Sequence, residues 1–318
     1  MVLDKMNQID LSISIVNYNT GNLLSNCLNS IIKNTHLIIY EIIVVDNNST
    51  DNSINQIKIN FPNITIIENK ENFGFTRANN QAFKEAKGRY FLLLNPDTLV
   101  LDGALDKMVA YLDTNSEVGI VGSKILDGKG EIKREAWNWK FPNLLAYILD
   151  PLCRFKFQYK LLKFIWPKNN LNIFDAFRDY NKTQEVDWVC GCCLMIRSPL
   201  WHELEGMDEE FFMYSEELDL CFRAKKKGWR VMYYPDTEII HFGGEGIMTP
   251  GKKIEELKSG YLFIRKHYGL FSLILWKIFR GTGITLRLIK YLIFKRKDKK
   301  NLNIYWTAFK WSISAFFY

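Results

Sequence analysis

Four short apolar runs punctuate the first hundred positions: SISIVNY (12–18), EIIVVDN (41–47), ITIIEN (64–69) and RYFLLLN (89–95). Each is nearly continuous in its apolar character, the pattern of strands buried on both faces. The stretches between them, roughly 20–34, 50–60 and 73–87, read as helices, with Thr20 and Thr50 as N-caps and Gly88 as a stop. Strand and helix in alternation predict an α/β, Rossmann-like, mixed and mainly parallel sheet flanked by helices. Ligands of such sheets bind at the carboxyl ends of the strands. Asn17, Asp46, Asn69 and Asn95 all stand at such ends.

Between 123 and 185 the pattern weakens into aromatic and basic sequence with no clean period, read as an insertion shaping an acceptor or membrane face. Regularity returns with a strand over 186–197, a helix over 214–227 and strands over 229–235 and 237–242. These elements give a globular α/β domain over 1–250 and a helical extension over 251–318.

The extension changes the electrostatic picture. The whole chain carries a formal charge of +7, but residues 251–318 hold 15 Lys and Arg against 3 Asp and Glu, so +12, and the remainder carries 7 − 12 = −5. A basic tail on an acidic body points to an anionic partner such as a membrane. No run of 18 uncharged residues occurs in the tail, so a spanning helix is not expected. Lys277, Arg280, Arg287 and Lys290 share an arc of about 140° at helical spacing, which predicts a helix in a membrane interface with these cations near lipid phosphates. Gly281-Thr282-Gly283 would break it into two, KRKDKK (295–300) reads as a solvated loop, and packing on the catalytic domain is the competing reading. The six cysteines lack a disulfide framework and read as small packing residues. MVLDKMNQID has no apolar core of a secretory signal.

Candidate chemistry begins with FFMYSEELDLC (211–221), where Glu216, Glu217 and Asp219 follow an aromatic run. Acids in a first helical turn complement the helix dipole. A carboxylate at the lip of an apolar pocket gains proton affinity and can act as a general base. In LLLNPDT (92–98), Asp97 follows a buried strand and a proline. The segment is good turn chemistry, and equally a place for a carboxylate to hold Mg²⁺ or Mn²⁺ with positions open for phosphates. His241 ends a strand before a glycine turn that a ligand could approach. NYNTGN after the first strand excludes a GxGxxG dinucleotide site, and no Walker A sequence is present.

SISIVNYNT, EIIVVDNNSTDNS, ENKENFGFTRANNQAFKEAKGRYFLLLNPDT, EVDWVCGCCLMIR and GMDEEFFMYSEELDLCFRAKKKGWRVMYYPDTEIIHFGG follow one another in order. Together they resemble the inverting, metal-dependent glycosyltransferases of family 2, GT-A fold, in the rhamnosyltransferase-like branch. The resemblance covers roughly 11–246 outside the insertion. It implies that Asp46, with Tyr18, Asn19 and Asn48, holds the base or ribose of a donor nucleotide. It implies that Asn72, Gly74, Arg77 and Asn80 line the nucleotide and diphosphate, joined by Asn95, Trp188 and Gly191. Asp97 and His241 would be ligands of Mn²⁺ or Mg²⁺. The family has Glu-Asp where this chain has Glu216-Glu217, so Glu217 inherits the base, one C–C bond (about 1.5 Å) longer. QxxRW, the mark of processive synthases, is missing, which implies one sugar per encounter.

The partners so implied are dTDP-rhamnose or a UDP-sugar, a saccharide or lipid-linked acceptor and an anionic membrane surface, with no nucleic acid. The implied setting is the cytoplasmic face of the cell membrane, peripherally attached, in surface polysaccharide synthesis. The alternatives are a sugar nucleotidyltransferase, which would need a Gly-Arg-Lys phosphate loop after the first strand, and a nucleotide-sugar-binding membrane adaptor that has lost catalysis.

Overall fold

The computed structural model describes residues 8–133, 140–142, 179–243 and 248–315. It divides into two compact units. The first comprises Met1–Trp139, Asp179–Phe212 and Glu216–Glu245; the second comprises Lys140–Arg178, Met213–Ser215 and Gly246–Tyr318.

The first unit is built on a nine-stranded sheet of order β3-β2-β1-β4-β8-β6-β9-β5, with β7 paired to β9. Its strands are β1 (Leu11–Asn17), β2 (Tyr40–Asp46), β3 (Thr65–Glu68), β4 (Tyr90–Leu94), β5 (Thr98–Val100), β6 (Val118–Leu126), β7 (Gln184–Glu185), β8 (Cys193–Arg197) and β9 (Arg230–His241). β1, β2, β3, β4, β6 and β9 run one way; β5, β7 and β8 oppose them. Every residue of β1 and β4 is buried; β4 is unbroken apolar sequence, and in β1 the hydroxyls of Ser12 and Ser14 donate to Glu41 Oε1 (2.6 Å) and Asn79 Oδ1 (2.7 Å). The helices α1 (Asn22–Asn34), α2 (Ser53–Asn60), α3 (Gly74–Glu85) and α4 (Ala104–Thr114) alternate with strands, and α5 (Ser198–Glu203) and α6 (Glu216–Lys226) follow β8.

Four details differ from the sequence reading. Thr20 does not cap α1 with its side chain; its hydroxyl donates to Asn17 Oδ1 (2.5 Å), and Gly21 occupies the cap position. Thr50 lies before α2, which Asn52 precedes, because the Thr50 N–H is held by Asn19 Oδ1 at 2.7 Å. The strand expected over 186–197 pairs only over Cys193–Arg197. The two strands expected over 229–242 are one, β9, whose register against β6 jumps between Tyr234 and Glu238, where Pro235 cannot donate to the ladder. β5, α4 and β6 were not legible in advance. The insertion expected over 123–185 falls largely outside the described residues.

In the second unit, α7 (Pro250–Phe294) and α8 (Lys299–Ser314) pack around Leu257, Ile284 and Ala308, with Phe309 and Trp311 against them. Thr249 caps α7, accepting from Lys252 N. α7 is helical through 281–283; its interruption lies instead at Gly269, at φ 81°. Of the four cations in the stripe, Lys290 is exposed as expected, but Lys277, Arg280 and Arg287 are half-buried on their own unit. Arg280 Nη2 binds Glu256 Oε1 (2.5 Å), beside the buried Lys253, whose Nζ meets Glu256 Oε2 at 2.7 Å. Lys277 Nζ donates to the Ala315 carbonyl (2.7 Å) and sits over the Tyr261 ring, and Arg287 lies over the Tyr305 ring. A cation finding carbonyls, a carboxylate and aromatic faces on its own unit is held by them in preference to water. Among the described residues, α7 is the one helix long and apolar enough to cross a membrane by length and composition, its most apolar window being only 17% buried.

Candidate active site

The carboxyl edge of the parallel strands carries a polar cluster that starts at Asn17. Asn17 and Asp46 are paired in register as the last residues of β1 and β2. Both are buried, and Asn17 Nδ2 donates to Asp46 Oδ1 at 2.7 Å and to the hydroxyls of Ser49 (3.1 Å) and Ser53 (3.0 Å). Ser49 returns two bonds to Asp46, its N–H to Oδ2 (3.0 Å) and its hydroxyl to Oδ1 (2.6 Å). A buried carboxylate satisfied on both oxygens is fixed in direction. Around it the loops turn sharply. Asn19 and Asn48 have φ of 53° and 63°, values that Asn tolerates better than other side chains. Asn19 Oδ1 accepts from the N–H groups of Thr50 and Asp51, binding the first loop to the second. Tyr18 stands beside them, half exposed at 51%. The sequence-derived residues Tyr18, Asn19, Asp46 and Asn48 therefore form one cluster.

The next loop adds the start of α3. Asn72 Oδ1 accepts from Gly74 N (2.9 Å), and Asn47 Nδ2 donates to the Gly74 carbonyl (3.0 Å). Gly74 has φ 81°, and a Cβ there would meet the Phe212 carbonyl oxygen at 2.5 Å, so only glycine fits. Arg77 is exposed over the Phe73 ring, 4.3 Å from its centroid, with Glu209 Oε2 at 3.9 Å. Asn80 behaves differently from its expected part. Its amide donates to the Met207 carbonyl (2.8 Å) and accepts from Met207 N (3.0 Å), so it braces the 205–209 loop.

Asn95 and Asp97 follow β4, and His241 closes β9, with Thr98 and His241 in register. His241 Nε2 lies 3.2 Å from Asp97 Oδ1 and 3.5 Å from Asn95 Nδ2. The backbones are tied as well: Phe242 N donates to the Asp97 carbonyl (3.0 Å), and Lys133 Nζ donates to the His241 carbonyl (2.9 Å). Burial alone would raise the Asp97 pKa, but the hydrogen bond and charge of His241, aided by Lys133, hold it below the usual carboxylate range. His241 Nδ1 is buried with no hydrogen-bond partner. A Cβ on Gly243 would collide with both the His241 ring and the Asp97 carboxylate. The carboxylate suits Mn²⁺ or Mg²⁺, and the imidazole nitrogen favours Mn²⁺ over Mg²⁺. Two neighbouring ligands at about 2.1 Å on an octahedral ion stand about 3.0 Å apart, close to the observed pair. Among the described residues no group of three or more His, Cys, Asp or Glu is placed to hold a metal, so a bound diphosphate would supply further ligands.

The third component comes from the 188–192 loop and α6. β8 runs antiparallel to β4 with Cys193 opposite Leu94, which brings the loop before β8 to the edge carrying Asn95 and Asp97. Asn95 N donates to the Cys192 carbonyl (3.0 Å). One residue earlier, Gly191 lies against Glu217, where an added Cβ would be 3.5 Å from the Glu217 Cβ. Glu217 thus lies against the loop that is tied to Asn95, and Trp188 stands in the same loop. The thiols of Cys27, Cys193 and Cys221 are pushed up to about 12 by burial and stay neutral, as packing groups do.

The three acids of the opening helix have three fates. Asp219 is buried and bound to Arg223 Nε at 2.6 Å, and Arg223 also donates to the carbonyls of Leu204 and Gly206. Glu216 is buried with Oε2 unpartnered, and burial, then the charge of Glu217, raises its pKa well above the usual range. Burial raises the pKa of Glu217 to about 7, against the pull of the N–H groups of Glu217 and Leu218, and its Oε2 also lacks a partner. A carboxylate titrating near neutral pH with an open lone pair is poised to accept a proton.

Sequence reasoning did not single out Ser49, Ser53, Lys133 or Gly243. The two serines lie in a loop whose hydroxyls had no distinguishing pattern. Lys133 and Gly243 are defined only by the fold that brings them to Asp97 and His241.

The family model of Glycosyl transferase family 2 matches residues 12–203. The chain is similar to the N-acetylglucosaminyl-diphospho-decaprenol L-rhamnosyltransferase of Mycobacterium tuberculosis, 25% identical over 92% of this chain and 97% of that protein. It is similar also to the rhamnosyltransferase WbbL of Escherichia coli K12, 27% identical over 54% of this chain and 61% of the relative. Among solved structures, GalNAc-T7 with UDP, GalNAc and Mn²⁺ superposes with a TM-score of 0.53 at 15% identity, covering 74% of this chain and 43% of that one. S. aureus TarS 1–349 in complex with UDP gives 0.50 at 15% identity, covering 91% and 74%. These likenesses carry the fold, which is GT-A.

Proposed function

The chain belongs to glycosyltransferase family 2 and is a glycosyltransferase; from that premise we propose that it transfers a single rhamnose, with inversion, from dTDP-rhamnose to a hydroxyl of a lipid-linked saccharide in cell-envelope glycan synthesis. A UDP-sugar is the second donor candidate. The observation that carries the reading is the Asp97–His241 pair joined through Asn95 and the 190–192 loop to Glu217. The rhamnose rests on the likeness to both rhamnosyltransferases named above, and the lipid-linked acceptor on the likeness to the Mycobacterium tuberculosis relative alone.

In this reading Asp46, with Tyr18, Asn19 and Asn48, receives the base and ribose. Asn72, Gly74 and Arg77 border the diphosphate. Asp97 and His241 hold Mn²⁺ or Mg²⁺, which when bound neutralises charge developing on the departing diphosphate. Glu217 takes the proton of the acceptor hydroxyl as that oxygen bonds to the anomeric carbon from the face opposite the nucleotide. The bond from that carbon to the diphosphate oxygen breaks in the same displacement, and the nucleoside diphosphate leaves with the electron pair. Such general-base assistance is worth about 10²–10⁴-fold in rate. Residues 1–250 form the catalytic domain, and 251–318 the extension that attaches the enzyme peripherally to the cytoplasmic face of the membrane, where a lipid-linked acceptor is presented.

The test is a panel of nucleotide sugars offered with Mn²⁺ and a short-chain polyprenyl-diphospho-N-acetylglucosamine. Product carrying one added deoxyhexose, formed from dTDP-rhamnose, supports the reading. Nucleotide binding without turnover on any donor favours the adaptor.

A further inference from the structure

We infer that the turn between α7 and α8 is an anionic-membrane insertion element, with Leu292, Ile293 and Phe294 as its apolar tip and the cations of residues 295–300 as its collar. The inference rests on the reading that the enzyme works at a membrane. It replaces the Lys277–Arg287 stripe, which the structure turns inward, with a different set of residues.

Two independent features converge at the turn. Leu292, Ile293 and Phe294 end α7 exposed at 44%, 56% and 79%. Three consecutive large apolar side chains in water at a helix end are costly unless something apolar covers them. Lys295, Arg296, Lys297, Lys299 and Lys300 follow immediately and are all exposed. With Asp298 the segment carries 5 − 1 = +4. Asp298 caps α8, accepting from Asn301 N (3.1 Å) and Asn301 Nδ2 (2.9 Å), and lies near Lys295 and Lys300. Lys295 also lies over the Tyr291 ring and Arg296 Nε donates to the Leu292 carbonyl (2.6 Å), yet unlike the half-buried Lys277, Arg280 and Arg287 all five cations stay exposed.

The occupant follows from the pairing of these features. A nucleic acid would be drawn by the cations but offers nothing flat and apolar for Phe294 at a solvent-exposed helix end. An apolar protein groove would accept Phe294 but would desolvate five cations. A bilayer rich in anionic lipid meets both demands within a few ångströms of depth: acyl chains take the tip while lipid phosphates meet the collar. The outward faces of α7 and α8 continue the apolar surface at Leu286, Ile289 and Trp306, all more than 40% exposed.

The test is co-sedimentation of the full chain with phosphatidylcholine vesicles and with vesicles containing about 30% phosphatidylglycerol, at two salt concentrations. Expected is binding that depends on phosphatidylglycerol, weakens with salt, and falls by more than about 100-fold in a Lys295→Glu, Arg296→Glu, Lys297→Glu variant. Ile293→Asp with Phe294→Asp weakens binding at both salt concentrations. Because all of these side chains are solvent-exposed, the variants keep the circular dichroism spectrum and the Mn²⁺-dependent nucleotide binding of the wild type; that second readout separates loss of the tip from failure of the transferase reading. Equal binding to both vesicle types, retention of binding by the charge-reversed variant, or resistance to an alkaline carbonate wash would each overturn the inference. So would a lipid-free dimer abolished by the same variants, which would make the tip a contact between copies.

Discussion

His241 Nε2 stands 3.2 Å from Asp97 Oδ1, and Gly243, two residues further on, is pressed so closely against both that it has no room for a side chain. Three positions from two distant stretches of sequence thus share one small volume at the carboxyl edge of the sheet. Asp97→Asn keeps the size of the side chain but removes its charge. Isothermal titration calorimetry is expected to show Mn²⁺-dependent nucleotide affinity lowered by about 100-fold or more, because a carboxylate is the only charged ligand the pair supplies.

Gly243→Ala tests the same volume by sterics alone. The methyl group must displace either the imidazole or the carboxylate. The expected result is a folded protein with an unchanged melting profile to within about 1 kcal/mol and metal-dependent nucleotide binding weakened by at least about tenfold.

Glu217→Gln removes the base without changing volume. It is expected to bind nucleotide as the wild type does and to lose about 10²–10⁴-fold in kcat. Glu216→Gln is expected to leave kcat within a few fold, since burial disfavours the charged form of Glu216 and a Gln amide has a similar shape.

The same residue sets the pH behaviour. With its pKa raised to about 7, Glu217 is a competent base only above that value, so kcat/KM is expected to rise through about pH 7 and level off. For stability the sign reverses. A carboxyl whose folded pKa lies above its ordinary 4.5 favours the folded state fully below that value, and the benefit is lost as pH rises through about 7. Glu217→Gln is therefore expected to raise Tm relative to wild type at pH 8 and to leave it unchanged near pH 4.5, measured by differential scanning calorimetry.

Arg223 joins Asp219 to the carbonyls of Leu204 and Gly206, and so fixes α6 to the turn after α5. Arg223→Ala removes the ion pair of the buried Asp219. A loss of about 3 kcal/mol in unfolding free energy by urea titration is expected, together with reduced turnover from the displaced Glu217.

Much of this arrangement could be read from the chain. β1, β2 and β4 announced themselves because burial on both faces leaves few polar positions to interrupt their apolar runs, and Asn17, Asp46 and Asn95 fell at or just beyond their ends. Asp97, His241 and Glu217 came from local context and resemblance, and the pairing of β5 with β9 explains why Asp97 and His241 meet. β8 slips between β4 and β6 in the opposite direction, a choice no local pattern encodes. The stripe Lys277, Arg280, Arg287 and Lys290 was legible as a stripe, but the direction of its first three cations was not. Helical spacing fixes which residues share a face, and only the position of Glu256, Tyr261 and Ala315 decides that this face turns inward. Likewise Asn80 looked like a ligand-binding amide until Met207 was seen to occupy both its donor and its acceptor.

The most direct measurement is the anomalous diffraction of manganese in crystals grown with UDP or dTDP. The account predicts a single strong peak about 2.1 Å from Asp97 Oδ and His241 Nε2, completed by diphosphate oxygens. A nucleotide bound with its metal held by other residues, or bound with no metal while Asp97 and His241 keep their mutual contact, would contradict it.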